Sequence, residues 1–308
     1  IDHKLIKNEN TLRIAILGDS MAEARSVNLV DTFWYKLNND LKNCKNFHNG
    51  KKIEVINFGV SEYGTTQQYL TLKHKVWKYD PDLIILAFYS GNDVADNLKS
   101  LSGKQYRPYF LFKDDVLFDL DDSFKSSKPY KILSSTSGQL FIQISQYSRI
   151  AQLLREAYVQ IYFSNNSKNN LKKTNENNKK ESNVYNPSDA IWSKAWITTE
   201  KILKLINQEI KNKDKEFILV SLSTPKQVHP NKISKIDDLF YPEKRLQNFT
   251  NKNSIKFISL AREMRDIAIK KNVFFHGFEN TKLGTGHWNK LGHEKGSKLI
   301  SEGICNFY

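Results

Sequence analysis

The stretch Arg13-Ile14-Ala15-Ile16-Leu17-Gly18-Asp19-Ser20-Met21 decides the fold. A short apolar run enters a glycine and then turns polar. Such a run, continuous rather than alternating, suits a strand buried on both faces of a parallel sheet. The pattern returns at residues 53–58 (IEVINF), 83–88 (LIILAF), 217–222 (FILVSL) and 273–276 (VFFH), which gives five strands with 13–17 as the first. Helical spacing fills the intervals. Residues 31–41 place Phe33, Trp34, Leu37 and Leu41 on one side. Residues 65–78 follow the second strand, and 197–210 repeat Ile197, Ile202, Leu203, Leu205, Ile206 and Ile210. Ile258, Leu260 and residues 264–269 precede the last predicted strand, and 292–304 close the chain. Strands alternating with helices imply a doubly wound α/β domain with ligands at the carboxyl ends of its strands.

The interval between the third and fourth strands, about 128 residues, is too long for one crossover and holds an insertion at about 98–190. Inside it, Tyr109-Phe110-Leu111-Phe112, Lys113-Asp114-Asp115 and Val116-Leu117-Phe118 read as a β-hairpin with a polar turn, and residues 139–162 read as an amphipathic helix. Residues 164–183 (SNNSKNNLKKTNENNKKESN) have one large apolar side chain, so the expectation there is a mobile loop. With no repeats and no second core, residues 1–308 are expected to form one domain carrying this insertion.

The 308 residues carry a net charge of +14, but only eight of the 47 basic residues are Arg. Without an Arg-rich stripe or a nucleic-acid motif, a solvated Lys-rich surface is expected and no nucleic-acid partner. Cys44 and Cys305 exclude a disulfide scaffold and a cysteine zinc site. They leave one bridge or two unpaired thiols, and the reading leans to unpaired thiols. The chain opens Ile1-Asp2-His3, without Met, which leaves room for a removed signal or anchor. The expectation is an extracytoplasmic location, with a cytoplasmic one left open and with membrane proximity if such an anchor exists.

Ser20 stands at a strand's carboxyl end, where backbone N–H groups point outward and can stabilise an oxyanion. Three more polar segments follow strands: Ile56-Asn57-Phe58-Gly59-Val60-Ser61-Glu62-Tyr63-Gly64, then Ser90-Gly91-Asn92-Asp93, then Gly286-His287-Trp288-Asn289-Lys290-Leu291-Gly292-His293. In order and in position, the four resemble the Ser, Gly, Asn and His blocks of the SGNH, or GDSL, hydrolases. The resemblance covers the sheet framework and not the insertion. It implies a flavodoxin-like three-layer α/β/α sandwich around a five-stranded parallel sheet. It implies Ser20 as nucleophile, His287 as its base, and an oxyanion hole from Ser20, the second block and Asn92. Serine is a weak nucleophile until an imidazole accepts its proton, and imidazole titrates near operating pH. No metal or cofactor is implied.

Two positions depart from the family pattern. Glu62 occupies the second block's usual oxyanion glycine, where a left-handed backbone would strain it; Gly59 and Gly64 are alternative carriers of that flexibility. Gly284 stands three residues before His287, where the family has the Asp that orients the imidazole. Glu279 is the nearest local carboxylate, and a backbone carbonyl near Leu283 or Gly284 is the other way to fix the ring. Asp19 and Asp93 are expected to hold their turns, Asn289 the histidine loop, and His293 the loop or helix start rather than a metal. Trp288 is placed beside the site, and Tyr63, Thr65, Gln67 and the Tyr106-Arg107-Pro108-Tyr109 segment are candidates to line a cleft. The resulting expectation is an ester hydrolase working through an acyl-enzyme on O-acyl, especially acetyl, esters of carbohydrate or on small acyl esters. The alternatives are acyl transfer to a glycan and a weak or inactive glycan- or lipid-binding protein of the same fold.

Overall fold

The computed structural model describes residues 3–104, 107–113, 116–126, 128–148, 150–151, 153–154, 157, 183–187, 189–231, 236 and 238–308. The chain divides into two compact units, residues 1–97 with 184–308, and residues 98–183.

The first unit is built on β1 (Thr11–Gly18), β2 (Lys52–Asn57), β3 (Leu83–Phe88), β6 (Glu216–Ser221) and β7 (Lys256–Ser259). They form one sheet in the order β2-β1-β3-β6-β7, every pair parallel. All six residues of β3 are buried, as both-face burial requires. Alternate side chains serve opposite layers. Ile14, Ile16, Ile85, Ala87, Ile218 and Val220 join a core with Phe33 and Leu37 of α1 (Phe33–Asp40) and Leu299, Ile300 and Ile304 of α7 (Lys290–Cys305). The opposite layer holds α2 (Thr65–His74) against α4 (Ala190–Lys211). The fold is thus the three-layer, flavodoxin-like α/β/α sandwich.

Strand order reverses at β1. The chain passes from β1 to β2 on one side and then to β3 on the other. The loops leaving β1 and β3 therefore diverge at a topological switch point, where open α/β sheets place ligands.

The fifth strand is not the one expected. β7 is Lys256–Ser259, and residues 273–276 form only an isolated bridge, His276 with Trp288. Phe275 and His276 of the VFFH run are almost wholly covered and Val273 and Phe274 half-buried, but the run's carbonyls pair with the loop that carries His287 rather than with a strand. β7 escaped notice because it is a four-residue edge strand with one fully buried position. Helices α5 (Tyr241–Asn253) and α6 (Ala261–Lys271) flank it, and α5 had no counterpart in the sequence reading.

The cysteines also correct an expectation. Cys44 and Cys305 form a disulfide with Cα atoms 5.3 Å apart, and neither thiol is free. The bond ties the turn after α1 to the last residue of α7 across 261 residues of sequence.

In the second unit, β4 (Tyr109–Lys113) and β5 (Val116–Asp121) form the antiparallel hairpin, with a register shift between Leu111 and Phe112. Its turn residues, Asp114 and Asp115, lie outside the described residues. Helix α3 (Thr136–Tyr147) starts at the Ser135 cap, whose hydroxyl accepts the Gly138 N–H at 3.1 Å. Of the expected mobile loop, residues 164–182 lie outside the described residues.

Candidate active site

Ser20 opens a one-turn helix, Ser20–Glu23, directly after β1. The Asp19 carboxylate accepts the Met21 N–H at 2.8 Å and caps this turn. A short polar N-cap satisfies donors that a helix start leaves unpaired. The turn is tight: a Cβ at Gly18 or at Gly59 would come within 2.6 Å of the Ala22 Cβ.

Hydrogen bonds from the Asp19–Glu23 segment reach each of the other three strand-end segments. His287 Nε2 meets Ser20 Oγ at 2.8 Å. Asn92 Nδ2 donates to Asp19 Oδ2 at 2.8 Å. Asn57 Nδ2 donates to the Ala22 carbonyl at 2.9 Å, and its Oδ1 accepts the Gly59 N–H at 2.9 Å. Glu23 accepts the Ser61 N–H at 2.8 Å and also its hydroxyl. Glu23 is a residue the sequence reading missed; its spacing from Ser61, 38 residues, carries no local signal.

Glu62 follows Ser61 with φ +69°, so the left-handed position of this loop falls on glutamate, not on Gly59 or Gly64. Its side chain is exposed. A left-handed backbone disfavours an L-residue by ~1–2 kcal/mol, and the pinned Ser61 and the Tyr63 N–H on the Val60 carbonyl hold it there.

Behind Ser20 lies a group of buried acids. Asp19 is fully buried, and burial pushes its carboxyl up to about 6 against the hydrogen bonds from Met21 and Asn92. Asp93, also fully buried, is pushed well above the carboxylate range by burial and then by the Asp19 charge. It accepts the Tyr89 N–H at 2.7 Å and Gln68 Nε2 at 3.3 Å, which fixes the turn bearing Asn92. Asn92 Oδ1 is buried without a hydrogen-bond partner, so Asp19 alone orients this amide among the described residues.

The His287 loop is held by backbone and by a second histidine. Gly277 donates its N–H to the His287 carbonyl at 3.0 Å, Gly284 to that of His276 at 2.8 Å, and Asn289 to that of Phe275 at 2.9 Å. The Asn289 side chain donates to Phe274 and Gly277 carbonyls and caps α7 by accepting the Gly292 N–H at 3.0 Å. Trp288 Nε1 donates to Ser223 Oγ at 2.9 Å, Ser223 reaches His276 Nε2 at 3.4 Å, and His276 Nδ1 meets the Gly286 carbonyl at 2.8 Å. Burial depresses His276 to about 4, so it is neutral, with its proton on Nδ1 facing the carbonyl of the residue before His287. Sequence reading saw His276 only as a strand end. A histidine in a buried apolar run was the available signal.

His287 is solvent-facing, and partial burial lowers its pKa below the usual value of about 6.5. It is a neutral acceptor for the Ser20 hydroxyl near pH 7. Among the described residues no group accepts a hydrogen bond from His287 Nδ1. Glu279 is exposed and makes no bond to it. Gly284 has φ +73°, and a Cβ there would come within 2.4 Å of the His229 ring. His293 is buried, accepts the Phe33 N–H through Nδ1 at 3.3 Å and stacks on the Phe33 ring. Among the described residues no group of acids, histidines and cysteines is arranged to hold a metal.

Two of the cleft candidates, Thr65 and Gln67, are buried, and so is Trp288, the residue expected to pack beside the site. Thr65 accepts from Asn97 Nδ2, and Gln67 takes the Gly64 N–H. In the second unit Arg107 Nε donates to the Tyr109 hydroxyl at 3.1 Å; Tyr106 lies outside the described residues.

No family model matches this chain, and no curated protein matches it. Among solved structures, it resembles an acetyl xylan esterase, AlAXEase, at 12% identity and TM-score 0.45, over 96% of this chain and 99% of that one. A putative GDSL-like lipase from Parabacteroides merdae aligns at 11% identity and TM-score 0.49, over 95% of each chain. The acetylxylan esterase Axe2 from Geobacillus stearothermophilus aligns at 10% identity and TM-score 0.48, over 95% of this chain and 94% of that one. Likenesses this loose do not bear on activity.

Proposed function

We propose that this chain is a carboxylic-ester hydrolase in which Ser20 is the nucleophile and His287 its general base. The observation that carries this reading is the 2.8 Å approach of His287 Nε2 to Ser20 Oγ, from loops 267 residues apart in sequence. Nucleophile and base within hydrogen-bond reach are the minimum an acyl transfer requires.

In the proposed cycle, Ser20 Oγ attacks the acyl carbon as its proton passes to His287 Nε2. The oxyanion takes its donors from the Ser20 N–H, the backbone of the Glu62 turn and the Asn92 amide. Asn92 has a second N–H beyond the one spent on Asp19. Loss of one such donor typically lowers turnover by ~10²–10³. The tetrahedral species collapses, His287 returns the proton to the leaving alcohol, and water repeats the sequence on the acyl-enzyme. With no carboxylate on Nδ1 among the described residues, the pair works in this reading as a dyad whose ring is aimed by its backbone loop.

O-acyl groups on carbohydrate, and small acyl esters, are the proposed substrates. The Cys44–Cys305 bond supports an oxidising, extracytoplasmic setting, since such bonds are rare where thiols are kept reduced. A fluorophosphonate probe and p-nitrophenyl acetate test the core of the reading. Labelling of Ser20 and hydrolysis, both lost in Ser20→Ala, are the expected results. An unlabelled Ser20 at every pH from about 6 to 9 would overturn it and leave a fold used for binding. Transfer to a sugar hydroxyl rather than water would appear as acylated glycan among the products.

A further inference from the structure

Eight of the twenty large apolar side chains that stand exposed among the described residues fall between Ile132 and Leu154. That concentration, in 23 of 308 positions, is not the scatter of single exposed residues normal to a soluble surface. Helix α3 shows how it arises. Gly138 and Ser145, seven residues apart, are buried, and Ile142 between them is partly covered. The face turned to solvent carries Leu140, Ile144 and Tyr147 at helical spacing, with Phe141 beside them; Tyr147 is 91% exposed and Leu140 57%. The helix presents its apolar face outward and covers its small residues, the reverse of an ordinary surface helix. Ile150, Leu153 and Leu154 continue the exposed apolar run.

Charge identifies what would cover it. From Phe124 to Arg155 the sequence has no Asp or Glu, and it carries Lys125, Lys128, Lys131, Arg149 and Arg155. Lys125, Lys128 and Lys131 are exposed, Lys125 in an ion pair with Asp122 at 2.8 Å, which leaves Lys128 and Lys131 as the cations of this stretch. A second copy laid on this face would bring two basic surfaces together and be repelled. An anionic lipid surface complements both features at once: acyl chains accept the apolar stripe and headgroups the cations. No helix among the described residues is long and apolar enough to cross a membrane, so the geometry is that of a helix lying on one.

We infer that the α3 face of the 98–183 unit is a docking surface for anionic phospholipid. The face holds the chain at a bilayer through the Leu140–Ile144–Tyr147 stripe and the Lys128 and Lys131 cations.

The test is flotation of the full chain with vesicles of phosphatidylcholine, with and without about 30 mol% phosphatidylglycerol, at about 0.05 and 0.5 M salt. The Ser20→Ala protein is used, so the result is independent of whether Ser20 is a nucleophile. Expected is retention at least about tenfold greater on the anionic vesicles at low salt, reduced at high salt. Leu140→Ser with Ile144→Ser should abolish it, and Lys128→Glu with Lys131→Glu should abolish the preference for phosphatidylglycerol. These positions are exposed, so the variants should keep the parent circular dichroism. Three results would overturn the inference: no retention on either vesicle, retention unchanged by both double variants, or a dimer in solution that the Leu140 and Ile144 changes convert to monomer.

Discussion

Restoring an aspartate at residue 284 should impair this protein rather than improve it. Gly284 has φ +73°, a region where an L-residue is disfavoured by ~1–2 kcal/mol. Its new Cβ would stand 2.4 Å from His229 Cδ2, 2.7 Å from His229 Nε2 and 3.2 Å from Phe274 Cδ1. The His229 ring must move, yet it packs edge-on against Phe274 at 5.2 Å and its Nδ1 accepts the Asn231 N–H at 3.2 Å. Overpacking of that kind adds about 1–3 kcal/mol. The sum, about 2–5 kcal/mol, corresponds to a loss of roughly 5–15 °C in Tm for a unit of this size. The Gly284 N–H bond to the His276 carbonyl lies in the path, so His287 shifts and kcat with p-nitrophenyl acetate falls about tenfold or more. Adding His229→Ala to Gly284→Asp removes the collision but not the φ strain, and should recover only part of the Tm. An unchanged Tm with a tenfold rise in kcat for Gly284→Asp would refute the reasoning, because the loop would then have room for a third catalytic group.

The relay from Trp288 to Gly286 makes His276→Phe informative: it keeps a buried ring but removes the Gly286 bond, and should lower kcat about 10²-fold with KM little changed. Its pH profile should keep its position, because His276 at about 4 does not titrate in the working range. Asp19 titrates at about 6 in the folded chain and 3.8 unfolded, so stability is lost as pH rises between those values, on the order of 3 kcal/mol in full. Asp19→Asn should therefore raise Tm at pH 8 and not at pH 4, while lowering kcat by freeing Asn92; equal Tm changes at both pH values would contradict this. Because burial lowers His287, the acid limb of kcat/KM should lie below pH 6.5, read from initial rates between about pH 4 and 8. Replacing Cys44 and Cys305 by serine should destabilise the unit that carries the parallel sheet by about 2–4 kcal/mol in urea titrations, with kcat unchanged, since the bond lies at the far end of α7 from His287.

What the sequence disclosed follows from how far each feature depends on distant residues. β1, β2, β3 and β6 are continuous apolar runs, and a run is a local property. Lys256–Ser259 is a strand only because β6 offers it an edge, and VFFH is not one because the histidine loop takes its backbone groups. The same distinction separates the site residues. Ser20, Asn92 and His287 stand in short polar blocks after apolar runs, so their convergence could be anticipated from strand order. Glu23 and Ser223 act on those blocks through bonds across 38 and 65 residues, and His276 through one across ten, with no motif spacing to betray them. The Cys44–Cys305 bond, spanning 261 residues, is of that second kind.

The lack of a carboxylate beside His287 among the described residues bears on the chemistry as well as the architecture. In a triad the acid stabilises the imidazolium formed during attack, and losing its charge lowers turnover by ~10⁴. Here His287 has no such partner among the described residues, and partial burial makes its imidazolium less stable still. The ring is then a weaker base toward Ser20, but its protonated form is a stronger acid. In the proposed cycle that acid must protonate a departing alkoxide, the demanding step for a sugar alcohol and a trivial one for p-nitrophenolate. The lowered pKa thus penalises attack and assists departure. The balance predicts that the deficit relative to a full triad is largest for activated aryl esters and smallest for acetylated sugars. Comparing kcat/KM across acetate esters of graded leaving-group pKa measures this directly. A shallow dependence fits the dyad; rates that fall steeply as the leaving alcohol becomes more basic would show that His287 gives no acid assistance.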